Sequence, residues 1–168
     1  MIGENTIDEH ANRGSRVASG VTLCLAAGAA AAIFVLTSQD PDTTGAESTW
    51  MNDLLIRLFG DIPGLYDPQT GLWIGLSVRQ WAHTAEFLVL GTFVSLSVAL
   101  LRKGGPIGSS IGIAAAVCAA CSIADQMHKL FVPGRHFDAL DLGMDALGYA
   151  SAIAVVFIVV ALLRRRPI

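Results

Sequence analysis

The chain has 168 residues, of which 53% are hydrophobic and only 15% are charged, and its formal net charge is −3. A soluble domain usually carries about 25% charged residues. The apolar residues here fall into long blocks, which is typical of a membrane protein and argues against a soluble domain. No basic patch interleaves with aromatic residues, so the sequence predicts no nucleic-acid partner.

Four apolar segments are each roughly 20 residues long, the length that crosses about 30 Å of hydrocarbon as a helix. They are residues 17–37, 81–101, 106–124 and about 144–163. Within a bilayer a helix satisfies all of its own backbone hydrogen bonds, so each segment is predicted to be helical. The predicted fold class is therefore all-α, an integral membrane four-helix bundle.

Basic residues predict the orientation of this bundle. Of the 11 Lys and Arg residues, four fall on one side if the spans alternate in direction: Arg57, Arg79, Lys129 and Arg135. The other seven fall on the opposite side: Arg13, Arg16, Arg102, Lys103, Arg164, Arg165 and Arg166. The positive-inside rule places that side in the cytoplasm. The sequence thus predicts an N-in, C-in protein with a cytoplasmic tail at 1–16, a membrane domain at 17–163 and a basic cytoplasmic tail at 164–168.

The first extracytoplasmic segment, residues 38–80, is rich in turn-forming residues. Within it, the stretch from Trp50 to Phe59 has helical apolar spacing, and Ser48 or Thr49 is a candidate N-cap. This pattern predicts a short amphipathic helix. Such a helix either lies on the outer membrane surface or packs against the ends of the bundle.

Polar residues gather where three predicted spans reach the outer side. Helical spacing puts each of three pairs on one helix face, and Arg135 lies in the turn between the last two pairs. The pairs are His83 with Glu86, Asp125 with His128, and Asp141 with Asp145. An acid at mid-bilayer costs about 2.5–3.5 kcal/mol on insertion scales, so such groups normally face the bundle interior and are paired. We therefore expect the three helix ends to converge.

Three interpretations of this convergence stay open at this stage. The charges form an interhelical salt-bridge network, or the mixed imidazole and carboxylate groups bind a metal. Alternatively, Arg135 with Lys129 and Arg79 binds an anionic head group through bidentate hydrogen bonds. An enzymatic variant would use His83 or His128 as a general base. No recognisable catalytic motif selects this variant, and the sequence identifies no cofactor.

Three short sequence signatures support a family resemblance. The first, Thr37-Ser38-Gln39, follows the first span, and the second runs from Arg79 through His83 and Glu86 to Gly91. The third is the longest, and it reads Asp125-Gln-Met-His-Lys-Leu-Phe-Val-Pro-Gly-Arg135 and then Asp141-Leu-Gly-Met-Asp-Ala-Leu-Gly148. Together they resemble the signatures of the VanZ-like membrane protein family over residues 30–163. Gln126, Lys129 and Asp145 stand where the family pattern has Glu, Gln and Asn.

The founding member of that family is associated with resistance to teicoplanin, a lipoglycopeptide that binds cell-wall precursor on the outer surface. The resemblance implies a multi-pass protein of a bacterial cell membrane that binds or modifies an outer-leaflet lipid or precursor head group and affects teicoplanin sensitivity. A membrane hydrolase or transferase acting on a lipid-linked phosphate, or a structural assembly protein, is the alternative. The candidate ligand-binding residues are His83, Glu86, Asp125, His128, Arg135, Asp141 and Asp145. The sequence does not set the oligomeric state.

Overall fold

The computed structural model describes the backbone of residues 2–165 and the side chains of residues 14–165. Five helices and one short hairpin make up the described chain. In order they are α1 (Ile2–Thr37), α2 (Pro41–Phe59), β1 (Tyr66–Asp67), β2 (Leu72–Trp73), α3 (Val78–Leu101), α4 (Ile107–Lys129) and α5 (Ala139–Arg164). The helices α1, α3, α4 and α5 contain stretches long and apolar enough to cross a membrane, which confirms the predicted all-α class.

The outer surface of the bundle is apolar along the membrane-spanning stretches of these four helices, of which the one in α1 is Gly14–Thr37. Large side chains such as Val35, Val155 and Leu163 are 60–62% exposed, and only 17–33% of the most apolar window of each helix is buried. A monomer in water rarely exposes contiguous apolar surface on this scale. A hydrocarbon environment accounts for this surface, and the chain is therefore a membrane protein.

The four long helices alternate in direction. Thr37 at the end of α1 donates a hydrogen bond to Asp125 near the end of α4, at 2.5 Å. At the opposite end, Arg164 at the end of α5 donates to the carbonyl of Gly105, just before α4, at 2.8 Å. We call the end where α1 and α4 finish and α3 and α5 begin the polar end.

The basic residues predicted on the cytoplasmic side lie at the opposite end, as the alternation requires, whereas Arg79 and Lys129 lie at the polar end. Those at the opposite end whose side chains the structure describes are Arg16, Arg102, Lys103, Arg164 and Arg165, whereas the Arg13 side chain and Arg166 lie outside the described residues. The side of the membrane that each end faces stays a prediction.

Helices α3 and α5 contact each other more extensively than any other pair of helices in the described chain. A Cβ added to Gly91 would lie 2.8 Å from the Cα of Tyr149, and a Cβ added to Gly148 would overlap the carbonyl oxygen of Thr84. The Thr84 hydroxyl also donates to the carbonyl of Met144 at 3.2 Å. Small residues let membrane helices approach closely enough for such contacts. This pairing fixes the start of α3 beside the start of α5.

Helix α2 is longer than predicted, and its predicted cap is wrong. It begins at Pro41 rather than near Trp50, and Asp40 is its N-cap, accepting from the backbone N–H of Thr43 at 2.9 Å. Pro fits the first helical position because its missing N–H would have no partner there. The hydrogen bonds from Thr43 lower the pKa of Asp40. No residue of α2 is buried, and Trp50 is 64% exposed.

The hairpin β1–β2 connects α2 to α3 through Trp73. The Trp73 indole N–H donates to Asn52 Oδ1 on α2 at 2.8 Å, and the Trp81 indole N–H on α3 donates to the Trp73 carbonyl at 2.8 Å. Trp73 is only 6% exposed. These contacts hold α2 next to the start of α3 and therefore close to the polar end.

Candidate functional site

A buried lysine lies at the centre of the polar end. Lys129, in the last turn of α4, is fully buried, and its ammonium donates to Asp141 Oδ2 on α5 at 2.9 Å. The same nitrogen is 3.8 Å from Asp125 Oδ2 and 3.4 Å from His83 Nε2. Helix α4 extends to Lys129 rather than ending at residue 124. Asp125 and Lys129 are therefore part of its last turns, and their side chains lie inside the helical bundle.

His83 connects α3 to the same groups. Its Nε2 is 3.3 Å from Asp141 Oδ2, and its Nδ1 is 3.2 Å from Asp145 Oδ1. Glu86, one turn further along α3, brings a carboxylate oxygen to 4.0 Å from Nδ1. We call the resulting set the ionic cluster; its members are His83, Glu86, Asp125, Lys129, Asp141 and Asp145.

Two hydroxyl groups orient the acids of this cluster. Thr37 donates to Asp125 Oδ1 at 2.5 Å, and Ser122 donates to Asp145 Oδ2 at 2.7 Å. Asp125 is 4% exposed and Asp145 is fully buried. Each carboxylate therefore has one oxygen held by a neighbouring helix, while its second oxygen faces the interior.

The signature Thr37-Ser38-Gln39 contacts the long signature Asp125–Arg135, which covers the end of α4 and the loop after it. Each of its three residues makes one of these contacts. Thr37 binds Asp125, Ser38 Oγ lies 2.9 Å from His128 Nε2, and the carbonyl of Gln39 accepts from Arg135 Nε at 2.8 Å. The His128 ring also stacks on Phe34, with ring centroids 3.9 Å apart. Segments 88 to 96 residues apart in sequence thus form one interface at the polar end.

The loop between α4 and α5 turns Arg135 back toward the bundle. Gly134 has a φ of 78°, a conformation that glycine adopts without strain. Besides its bond to Gln39, the Arg135 guanidinium donates to the Thr44 hydroxyl on α2. Partial burial lowers the pKa of Arg135, and the positive charge of Arg79 acts in the same direction.

Beside the ionic cluster lies a cavity of about 190 Å³ between α1, α2, α3 and the Arg135 loop. Arg79 and Arg135 line it, and we call it the arginine cavity. Its remaining wall is formed by Leu36, Thr37, Gln39, Thr44, Glu47, Ser48, Met51, Val78, Ala82, His83 and Glu86. His83 and Glu86 therefore belong both to the cluster and to the cavity.

A family model matches the region of the chain that contains the ionic cluster and the arginine cavity. The VanZ/LLP1 family model matches residues 22–161, which is most of the chain. The chain belongs to the VanZ/LLP1 family. Comparison with curated proteins and with solved structures gave no match. Every residue of the ionic cluster and of the arginine cavity in this VanZ/LLP1 protein lies within the matched region.

The VanZ/LLP1 chain brings five of the seven predicted residues together in the ionic cluster: His83, Glu86, Asp125, Asp141 and Asp145. Arg135 lies across the cavity, and His128 lies apart, against Ser38 and Phe34. Lys129 does not line the cavity with Arg135, contrary to expectation, because it is fully buried against Asp141.

Sequence reasoning missed Ser122 and the part played by Thr37. Ser122 lies three residues before Asp125 and so on the same face of α4, but an isolated serine in an apolar span carries little signal. Thr37 carries a signal only as part of a signature. Its contact with Asp125 depends on how α1 is rotated against α4, which the sequence pattern does not specify.

Proposed function

We propose that this VanZ/LLP1 membrane protein of a bacterial envelope binds the anionic head group of an outer-leaflet lipid or lipid-linked cell-wall precursor in the arginine cavity. The observation that carries the proposal is the pair of arginines, Arg79 and Arg135, on the wall of one cavity at the polar end. Two like charges facing a shared space favour an anion between them, and arginine matches phosphate through bidentate hydrogen bonds.

Both arginines keep donors available for a ligand. Guanidinium has five N–H donors, and the bonds of Arg135 to Gln39 and Thr44 use two of them. These bonds hold the side chain in place before a ligand arrives. The Arg79 side chain is 44% exposed and lies 3.5 Å from Asp141, so the ionic cluster orients it without burying it.

The rest of the cavity wall suits the remainder of a lipid head group. Glu47 and Glu86 are hydrogen-bond acceptors for glycerol or sugar hydroxyls. Leu36, Met51 and Val78 are apolar residues of the cavity lining, against which the start of an acyl or prenyl chain can pack. A ligand that combines phosphate, hydroxyl and hydrocarbon would therefore find a partner for each part.

The proposal includes an orientation in which the polar end faces outward. Its support is the set of basic residues at the opposite end of the bundle, which the positive-inside rule assigns to the cytoplasm. A single cysteine introduced at the exposed Trp50, in a cysteine-free background, should react with a membrane-impermeant maleimide on intact cells. Labelling only after the cells are broken would show the opposite orientation, with the polar end in the cytoplasm.

Head-group binding is tested directly with the purified full-length protein in a phosphorus-free maltoside detergent. Native mass spectrometry would compare phosphatidylglycerol, a polyprenyl phosphate and zwitterionic phosphatidylcholine. We expect the anionic ligands to bind, and Arg79→Gln and Arg135→Gln to lower their affinity about tenfold, because hydrogen bonds to charged groups contribute roughly 1.5–3 kcal/mol. The preferred ligand distinguishes an ordinary phospholipid from a lipid-linked precursor carrier.

The matched control is Arg57→Gln, which removes the same charge from an exposed site on α2. Equal losses in all three variants would mean that binding follows net charge rather than the arginine cavity. Equal binding of phosphatidylcholine and the anionic lipids would contradict recognition of an anion.

We further propose that occupancy of this cavity lowers teicoplanin sensitivity. The support is the family membership together with the proposed outward position of the cavity. A sensitive Gram-positive host expressing the wild type should become less sensitive to teicoplanin, and Arg135→Gln at matched membrane levels should lose that protection, with vancomycin as the comparison drug. No protection by a well-inserted wild type would remove the resistance role and leave head-group binding intact.

A second candidate function is hydrolysis or transfer at a lipid-linked phosphate. The observation that favours it is the position of His83, which lines the arginine cavity with its Nε2 3.3 Å from Asp141 and its Nδ1 3.2 Å from Asp145. A carboxylate that orients an imidazole is the usual arrangement of a general base. Release of inorganic phosphate from a polyprenyl pyrophosphate by the wild type, and its loss in His83→Ala, would support this function over binding alone.

A further inference from the structure

Three helices each present one buried polar atom toward a common point in the ionic cluster. These atoms are Nδ1 of His83, Oδ2 of Asp125 and Oδ1 of Asp145, and none of them has a hydrogen-bond partner among the described residues. All three residues are more than 90% buried. The ligand-type atoms of this trio lie within 4.8 Å of one another. Buried polar atoms are rarely left without a partner, so this convergence calls for an occupant.

The other polar atom of each residue is already held in place. Thr37 donates to the second oxygen of Asp125, Ser122 donates to the second oxygen of Asp145, and His83 Nε2 lies 3.3 Å from Asp141 Oδ2. Metal-binding histidines and carboxylates characteristically have such a partner on the atom that does not touch the metal. The outer contacts therefore orient the three unpartnered atoms inward.

The spacing of these atoms fits a metal ion. His83 Nδ1 and Asp145 Oδ1 are 3.2 Å apart, yet they are not aligned for a hydrogen bond. Nitrogen and oxygen ligands lie about 2.0–2.2 Å from a divalent transition metal. Two such ligands at tetrahedral or octahedral angles are separated by about 2.8–3.6 Å, a range that includes the observed distance.

The charge of the surrounding groups favours a cation. With His83 neutral, as a metal-binding imidazole is, the four carboxylates of Glu86, Asp125, Asp141 and Asp145 and the two cations Lys129 and Arg79 leave two net negative charges. The Lys129 ammonium lies closest to Asp141, at 2.9 Å, and its ion pair with Asp125 Oδ2 is longer, at 3.8 Å. A divalent ion would balance this buried charge.

We infer that His83, Asp125 and Asp145 bind one divalent transition-metal ion of the Zn²⁺ or Mn²⁺ class. An imidazole nitrogen with carboxylate oxygens suits these ions better than Ca²⁺, which takes six to eight oxygen ligands. Glu86, beside His83 on the cavity wall, is positioned to complete the site or to hold a metal-bound water. The inference does not rest on head-group binding, since its test contains no lipid phosphate.

The test uses the full-length protein, stripped with a chelator in a phosphorus-free maltoside detergent and titrated by calorimetry with Zn²⁺ and with Mn²⁺. We expect one ion per chain and an affinity at least tenfold lower in His83→Gln, Asp125→Asn and Asp145→Asn, since even loss of an outer partner typically lowers metal affinity 10–100-fold. The matched control is Asp138→Asn, which removes a carboxylate next to the cluster while Asn can still cap α5. This control should bind like the wild type.

X-ray absorption of the zinc-loaded wild type keeps the test decisive even where a variant fails to fold. The expected spectrum has imidazole scattering and oxygen ligands without sulfur. A stripped wild type that takes up neither ion would overturn the inference. The three atoms would then belong to a network of protonated groups and the Lys129 ammonium, with no metal. Undiminished binding in folded His83→Gln and Asp145→Asn, or a sulfur signal from the cysteines, would overturn it by placing the ion elsewhere.

Discussion

Replacing Lys129 with methionine is expected to destabilise the bundle by about 3–5 kcal/mol, the usual cost of removing one partner of a buried ion pair. The Lys129 side chain is fully buried, and its ammonium donates to Asp141 at 2.9 Å. Without it, the Asp141 and Asp125 carboxylates keep their charge in a region that excludes water. The exposed Arg79, 3.5 Å from Asp141, cannot make up for the loss because solvent screens its charge.

This loss is measured as the change in the free energy of unfolding in detergent. Two further variants test whether it comes from the buried ion pair. Lys103→Met removes an exposed lysine at the opposite end and should leave stability within about 0.5 kcal/mol of the wild type. Combining Lys129→Met with Asp141→Asn should cost less than the sum of the two single changes, because the uncompensated charge is also removed. A Lys129→Met protein as stable as the wild type would show that the buried ion pair does not hold the bundle together.

Replacing Gly148 with alanine is expected to destabilise the α3–α5 pair by about 1–3 kcal/mol, the typical cost of overpacking. The added Cβ would overlap the carbonyl oxygen of Thr84 and lie 2.9 Å from the backbone nitrogen of Leu88. Both neighbours are backbone atoms, so they cannot rotate away. A loss of stability would be informative, because helix propensity alone would make the alanine variant more stable by about 1 kcal/mol.

Gly143→Ala, on the same helix, provides the control for this prediction. A Cβ at Gly143 meets nothing within 4 Å, so the change should be neutral or stabilising. Unfolding of both variants in the same detergent gives the comparison. A Gly148→Ala protein at least as stable as Gly143→Ala would mean that α3 and α5 do not approach as closely as described.

The sequence predicts the membrane architecture well because hydrophobic length is a strong signal. All four long helices are expected from their apolar blocks, and the alternation of Lys and Arg agrees with their directions. The ends of the helices are predicted less well. The apolar pattern ends α4 at residue 124, yet the helix extends to Lys129 because its polar last turn is buried against α5.

The start of α2 shows why local signals mislead. Asp40-Pro41 is typical of a turn, although the same two residues here form an N-cap and a first helical position. A turn and a helix start share this composition and differ only in the conformation of the residues after Pro41. Here the first helical turn is held by the Asp40 side chain, with the Thr43 N–H as donor.

The candidate site could be predicted as a group of residues but not as a set of contacts. Helical spacing places His83 with Glu86 and Asp141 with Asp145 on shared faces. It could not predict that Lys129 would turn inward to Asp141 while Arg135 turned toward α2. Those choices depend on the rotation of each helix about its axis, which several neighbours set together.

The proposed recognition of a phosphate by Arg79 and Arg135 is tested most directly by measuring distances between the ligand and the two side chains. Protein carrying ¹³C-labelled arginine would be prepared with one equivalent of polyprenyl phosphate as the only phosphorus, and ³¹P–¹³C dipolar couplings would be measured by solid-state NMR. Arg79→Lys and Arg135→Lys samples assign the signals. We predict that the guanidinium carbons of both residues lie about 4 Å from phosphorus, the distance set by direct hydrogen bonds, whereas Arg57 shows no coupling. Coupling to neither Arg79 nor Arg135, or equal coupling to Arg57, would contradict a head-group site in the arginine cavity.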